Sequence, residues 1–184
     1  MDIFDIRNIE IRDLDSYFYW KKSCHEHNEL NGPYYKRDND EDLRINIENI
    51  RKKLKNGITS PMDDKRVIVF KDSDKLVGEV NWYWKSRETY WMEIGIVIFD
   101  KFNWGKGYGI NILKKWIDMV FDEHPEIIRI GLSTWSGNFG MIKLAEKIGM
   151  TREAVYRKAR IVNGEYYDSI SYGLLREELV KLAK

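Results

Sequence analysis

A chain of 184 residues with 43% hydrophobic content is of a size for one domain with a buried core, so residues 1–184 are expected to form a single globular unit. The 31 basic and 30 acidic side chains leave a net charge of +1, which supplies no overall attraction toward nucleic acid or anionic lipid, so any basic site must be local. Cys24 is the single cysteine, the N-terminus MDIFDIRNIEIRD is acidic where a signal peptide would be basic, and no apolar run approaches membrane-spanning length; a soluble, cytoplasmic protein without disulfides is expected.

In chain order, Ile6, Ile9 and Ile11 read as a first strand, followed by a helix from about Leu14. Acidic and amide side chains at residues 39–42 mark a helix start, Leu43, Ile47, Ile50 and Leu54 repeat at helical spacing, and Gly57 is a natural stop. Residues 67–70 and 76–84, joined by a polar turn, read as antiparallel strands, and residues 92–98 add a third. After Gly109, the positions Ile110, Leu113, Ile117, Val120 and Phe121 form one apolar helix face. Residues 127–132 read as a strand, Asn138 as the N-cap of a helix closed by Gly149, and Asn163-Gly164 as the turn of a terminal hairpin between residues 155–162 and 166–174. The order of elements predicts a mixed α/β fold.

The most informative segment is Trp104-Gly105-Lys106-Gly107-Tyr108-Gly109, a few residues after a strand and opening directly into a helix. Alternating glycines let the backbone approach a ligand, and the helix start offers unpaired N–H groups and the positive end of its dipole, a geometry suited to a pyrophosphate. A plain turn does not need three glycines in five residues. A dinucleotide fold would need G-x-G-x-x-G in a first βα unit, and a Walker loop would need G-x-x-x-x-G-K followed by Ser or Thr; neither string occurs here.

With EIGIVI at 93–98, WGKGYG, the 138–150 segment ending Ala-Glu-Lys-Ile-Gly-Met, and Asn-Gly-Glu-Tyr-Tyr-Asp at 163–168, the chain resembles the GNAT superfamily of N-acetyltransferases over nearly its whole length. Trp104, standing where the family usually has Gln or Arg, resembles the RimJ/RimL type of ribosomal-protein N-terminal acetyltransferase. The resemblance implies a central, mostly antiparallel twisted sheet of about seven strands with flanking helices, whose fourth and fifth strands splay apart to admit the pantetheine arm of acetyl-CoA. It assigns the cofactor to Ile96, Val97 and Ile98, to Trp104, Gly105, Lys106, Gly107, Tyr108 and Gly109, and to Asn138. It also implies that backbone N–H groups of the splayed strand meet the developing oxyanion.

Acetyl transfer needs a neutral amine, and a carboxylate acting through water could take its proton. Glu93 is the candidate, because it heads the strand along the cofactor and interrupts an apolar run; a structural ion pair would explain it equally well. The family's usual proton donor, a Tyr four residues before the helix-ending glycine, is Ala145 here, and the Ser common in RimJ/RimL relatives is Met141. Cys24-His25-Glu26-His27 matches no zinc spacing, so no metal is expected. His124 suits a helix C-terminus. The aromatic residues at 34–35, 82–84 and 90–91 exceed what a core needs, and the remainder could line an acceptor pocket or the subunit interface of a homo-oligomer. The acceptor is expected to be a peptide or protein N-terminal amine. The alternatives are a small amine such as a polyamine or aminoglycoside, and a module that binds acetyl-CoA without catalysis.

Overall fold

A computed structural model describes residues 3–182. Seven strands, β1 (Phe4–Arg7), β2 (Lys65–Phe70), β3 (Leu76–Ser86), β4 (Trp91–Ile98), β5 (Arg129–Trp135), β6 (Thr151–Val162) and β7 (Glu165–Leu175), form one sheet in the order β1-β2-β3-β4-β5-β7-β6. Every neighbouring pair is antiparallel except β4–β5, which is parallel. The helices are α1 (Leu14–Lys21), α2 (Asp40–Lys55), α3 (Tyr108–Glu123), α4 (Phe139–Lys147) and α5 (Arg176–Leu182).

Period-2 alternation sorts the strand side chains onto two faces. Met92, Ile94 and Ile96 of β4, with Ile68 of β2, pack into one apolar cluster against Leu113, Trp116 and Ile117 of α3. Val67 and Val69 of β2 point the other way and join Leu14 and Tyr17 of α1, Leu43 and Ile47 of α2, and Phe99. The apolar stripe of α3 is thus buried along its length, at roughly 1.5–3 kcal/mol for each large side chain. The start of α2 is capped by Asn39, whose Oδ1 accepts from the Glu41 and Asp42 amides at 2.9 Å. Positive φ at Asn163 and Gly164, 52° and 83°, gives the terminal hairpin the turn its dipeptide predicts.

Three expectations need correction. The first strand ends at Arg7 rather than running to Ile11: the buried Asp13 carboxylate accepts from Arg7 at 2.7 and 3.0 Å and from the Glu10 amide at 2.7 Å, and this pulls the chain out of the sheet into a short 3₁₀ turn at Ile11–Asp13. Ile9 still reaches the core, whereas Ile11 is exposed. The strand expected at 127–132 lies at Arg129–Trp135, and α5 follows β7 where no helix was expected. No helix among the described residues is long and apolar enough to cross a membrane.

Candidate active site

Strands β4 and β5 pair only at Met92–Ile130 and Glu93–Gly131. Beyond that point β4 stays with β3 and β5 stays with β7, so the two diverge and leave backbone edges in the gap without sheet partners. The result is a cleft of about 600 Å3, lined on one wall by Ile94, Gly95, Ile96, Val97 and Ile98 and on the other by Leu132, Ser133, Thr134 and Trp135.

At the mouth of the cleft lies the glycine loop. Gly105 and Gly107 have φ of +72° and +81°, and a Cβ added at either would meet nothing within 4 Å, so the loop presents bare backbone to open space. Gly107 is the N-cap of α3, which brings the unpaired amides of the helix start to the same place. Trp104 donates its indole N–H to the Ile98 carbonyl at 2.8 Å, fastening the loop to the end of β4. Tyr108 lines the cleft and also packs edge-on against Phe4. The Lys106 ammonium rests over the Tyr108 ring, and Lys106 is outside the cleft lining, where the lysines are Lys21, Lys65 and, from α4, Lys143 and Lys147. A pyrophosphate at the loop and a long uncharged arm between the strands fit these residues.

Asn138 lines the cleft with both ends of its carboxamide engaged. Its Oδ1 accepts from the Met141 amide at 3.0 Å, capping α4, and its Nδ2 donates to the Leu30 carbonyl at 3.2 Å, which the Trp135 indole also reaches at 2.9 Å. The segment between α1 and α2 is thereby tethered to the end of β5 and the start of α4. Asn81 lies opposite; a Cβ on Gly95 would come within 2.5 Å of its Oδ1, so Gly95 makes room for that amide.

Glu93 is buried, but it is not among the residues lining the cleft. Its carboxylate accepts a short hydrogen bond from the Tyr83 hydroxyl and an ion-paired one from Lys85 at 3.1 Å. Burial, and then the Glu93 charge, hold the Tyr83 phenol well above its ordinary value. A second carboxylate, Glu79, does line the cleft, and the sequence reading missed it although it breaks the apolar run LVGEV as Glu93 breaks EIGIVI. Tyr17 donates to Glu79 at 2.6 Å and Lys21 at 2.8 Å. Burial opposes its ionisation, but the charges of Lys21 and Lys65 prevail and lower its pKa.

His27 forms part of the cleft floor. Its Nδ1 bonds to the Phe99 carbonyl at 3.2 Å, and burial pushes its pKa down to about 4, so it is neutral near pH 7. His25 packs against Tyr19 and Trp20, and among the described residues no cluster of His, Cys, Asp or Glu could hold a metal ion. Ala145 is wholly buried in the core and Met141 lines the cleft, so neither position carries a proton donor.

Known proteins share this architecture. The chain is 27% identical over 116 residues to the SPbeta prophage-derived uncharacterized N-acetyltransferase YokL of Bacillus subtilis (strain 168), a match covering 63% of the chain and 64% of YokL. In fold it is similar to spermidine N-acetyltransferase from Vibrio cholerae, solved in complex with CoA and spermine, at TM-score 0.75 and 17% identity over 98% of this chain and 99% of that one. A ribosomal-protein-S5-alanine acetyltransferase from Vibrio fischeri is similar at TM-score 0.72 and 18% identity, over 97% of this chain and 96% of that one. Residues 4–151 match the acetyltransferase (GNAT) domain model, and with a split sheet and glycine loop suited to the acetyl-CoA that such enzymes use, the chain belongs to the GNAT acetyltransferase family.

Proposed function

We propose that this protein is an N-acetyltransferase that moves the acetyl group of acetyl-CoA onto the N-terminal amine of a peptide or protein, as enzymes of the RimJ/RimL type do. The observation that carries this reading is the conjunction of a two-position β4–β5 pairing with a bare glycine loop at the mouth of the resulting gap. Acetyl-CoA supplies an acetyl group already activated as a thioester. The chain's own residues hold and orient it: loop amides from Gly105 to Gly109 and the ammonium groups of Lys143 and Lys147 take the phosphates, and the unpaired edge of β4 directs N–H donors into the gap, where negative charge develops on the carbonyl oxygen. Glu93, which lies behind the cleft lining with Tyr83 bonded to it, takes the amine's proton through water.

The carboxylates favour an N-terminal amine over a polyamine. Glu79 is the one carboxylate in the cleft lining among the described residues, and both of its oxygens are already engaged. A polycation would find few counter-charges there. An α-amino group, with a reference pKa near 8 against about 10.4 for lysine, is partly neutral before it binds and needs less help.

The deciding experiment follows thiol release from acetyl-CoA in the presence of short peptides with free N-termini, spermidine and an aminoglycoside, with mass spectrometry of the product. Acetylated peptide N-termini are expected. Thiol release confined to spermidine or the aminoglycoside, or release with none of the three, would overturn the reading.

A further inference from the structure

A second groove, of about 690 Å3, lies between α1, α2 and the segment leading into β2, and it meets the cleft at Lys21 and Lys65, which line both. Between the two runs the Tyr17–Glu79–Lys21 cluster. The lining of this groove is cationic and rich in amides. Lys21 comes from α1, Lys52 and Lys53 from α2, and Lys65 from β2, while Asp38 is its only carboxylate among the described residues. Asn46, Asn49 and Asn56 add carboxamides on the α2 side.

Ordinary structural needs account for part of this charge. Lysines in the last turn of α2 complement its dipole, Lys53 is held by the Pro61 carbonyl at 3.0 Å, and Lys21 neutralises Glu79. They do not account for four lysines from three elements lining one groove, among them Lys52, whose ammonium has no ion pair or hydrogen bond among the described residues. Asp64 lies close enough to act on Tyr17 but is outside the lining of both cavities. With Lys21 matched by Glu79, Lys52, Lys53 and Lys65 against Asp38 still leave a local excess of positive charge in a chain whose overall charge is only +1.

We infer that the groove receives the acceptor's chain beyond its reactive amine, and that this acceptor is an acidic peptide, with Asp or Glu in the residues that follow its N-terminus. The inference rests on the peptide reading above and adds its specificity. The amine enters the split between β4 and β5, the chain passes Lys21 and Lys65, and its carboxylates meet the groove lysines while the asparagines of α2 offer donors and acceptors to its backbone. A basic tail would meet like charge along the same path.

The test compares matched peptides that differ only in Asp and Glu against Asn and Gln after the N-terminal residue, using the full chain and saturating acetyl-CoA. At low ionic strength kcat/KM should favour the acidic member, and the preference should shrink as salt is raised, because partly exposed charge pairs are screened. Lys52→Glu, an exposed position that leaves the cleft lining intact, should lower the acidic-to-neutral ratio by roughly fivefold. Equal kcat/KM for the two peptides at low salt, or a ratio that Lys52→Glu does not move, would overturn the inference while leaving peptide acetylation standing. Acetylation of spermidine with no peptide accepted would remove both readings together.

Discussion

Glu93 and Glu79 each interrupt an apolar strand, and their surroundings give them different work. Glu79 is fixed by Tyr17 and Lys21, with the charge of Lys65 adding to theirs, and it binds those groups together in the cleft lining. Glu93 has a lighter set of partners, Tyr83 and the half-exposed Lys85, and it sits where the two strands begin to part. As a base working through its neighbour or through water, Glu93→Gln should reduce kcat by about a hundredfold or more and leave acetyl-CoA affinity nearly intact. The loss should ease toward high pH, because more of the acceptor amine is then neutral before it binds. Equal kcat for variant and parent across the pH range would leave Glu93 as the structural partner of Lys85, the rival role its sequence position also allows. The carboxylate could be picked out in the sequence because it breaks a hydrophobic run, but its partners could not. Tyr83 faces Glu93 across β3 and β4, and that pairing depends on a register that no local pattern specifies.

At the scale of elements, those with strong local signals were legible: the two long amphipathic helices, the capped α4 and the Asn163-Gly164 hairpin all stand where spacing and turn chemistry put them. Elements bounded by tertiary contacts were not. The end of β1 is set by Asp13 binding back to Arg7, and α5 is a short segment whose helical state no cap or apolar stripe in the sequence announced. The glycine loop belongs with the legible elements, and its role can be separated from its conformation. Gly107→Val would place a β-branched residue at φ +81° and a side chain in the open space where phosphate oxygens are expected. The strained backbone should cost on the order of 1–2 kcal/mol of stability. Acetyl-CoA affinity should fall by at least about tenfold, a loss of roughly 1.4 kcal/mol. Gly57→Val is the control, since Gly57 has φ +80°, equally open surroundings and a place outside the cleft. Its stability should fall comparably while calorimetry finds its acetyl-CoA affinity unchanged; unchanged affinity in Gly107→Val as well would remove the loop from the binding site.

For the molecule as a whole, the feature that makes the site is a sheet held together on both sides of a gap, and this was the least legible in the residues themselves. Two paired positions between parallel strands leave no periodic trace, so the splay entered through family resemblance and not through spacing. Closing the end of the gap are α1, the segment after it and the chain leaving β4, which meet around His27: its ring packs near Trp20 and Phe99, and its Nδ1 bonds to the Phe99 carbonyl. Because that ring is buried uncharged, global stability should depend on pH through it. Burial lowers the folded-state pKa to about 4 from an ordinary value of 6.5, so between these limits the unfolded chain binds a proton that the folded one refuses. The contribution is fully present above pH 6.5 and declines as pH falls toward 4, with a limiting slope for one proton of about 1.4 kcal/mol per pH unit. Carboxylates with lowered pKa, such as Glu79, add to the loss only in more acid solution. Thermal unfolding of the parent should therefore shift to lower temperature between pH 7 and pH 5. His27→Gln, less stable at pH 7 through lost packing, should show a smaller shift over the same interval. An equal shift in both proteins would mean that the ring is protonated without cost where it lies, and that the aromatic cluster at the end of the cleft opens to water in the folded state.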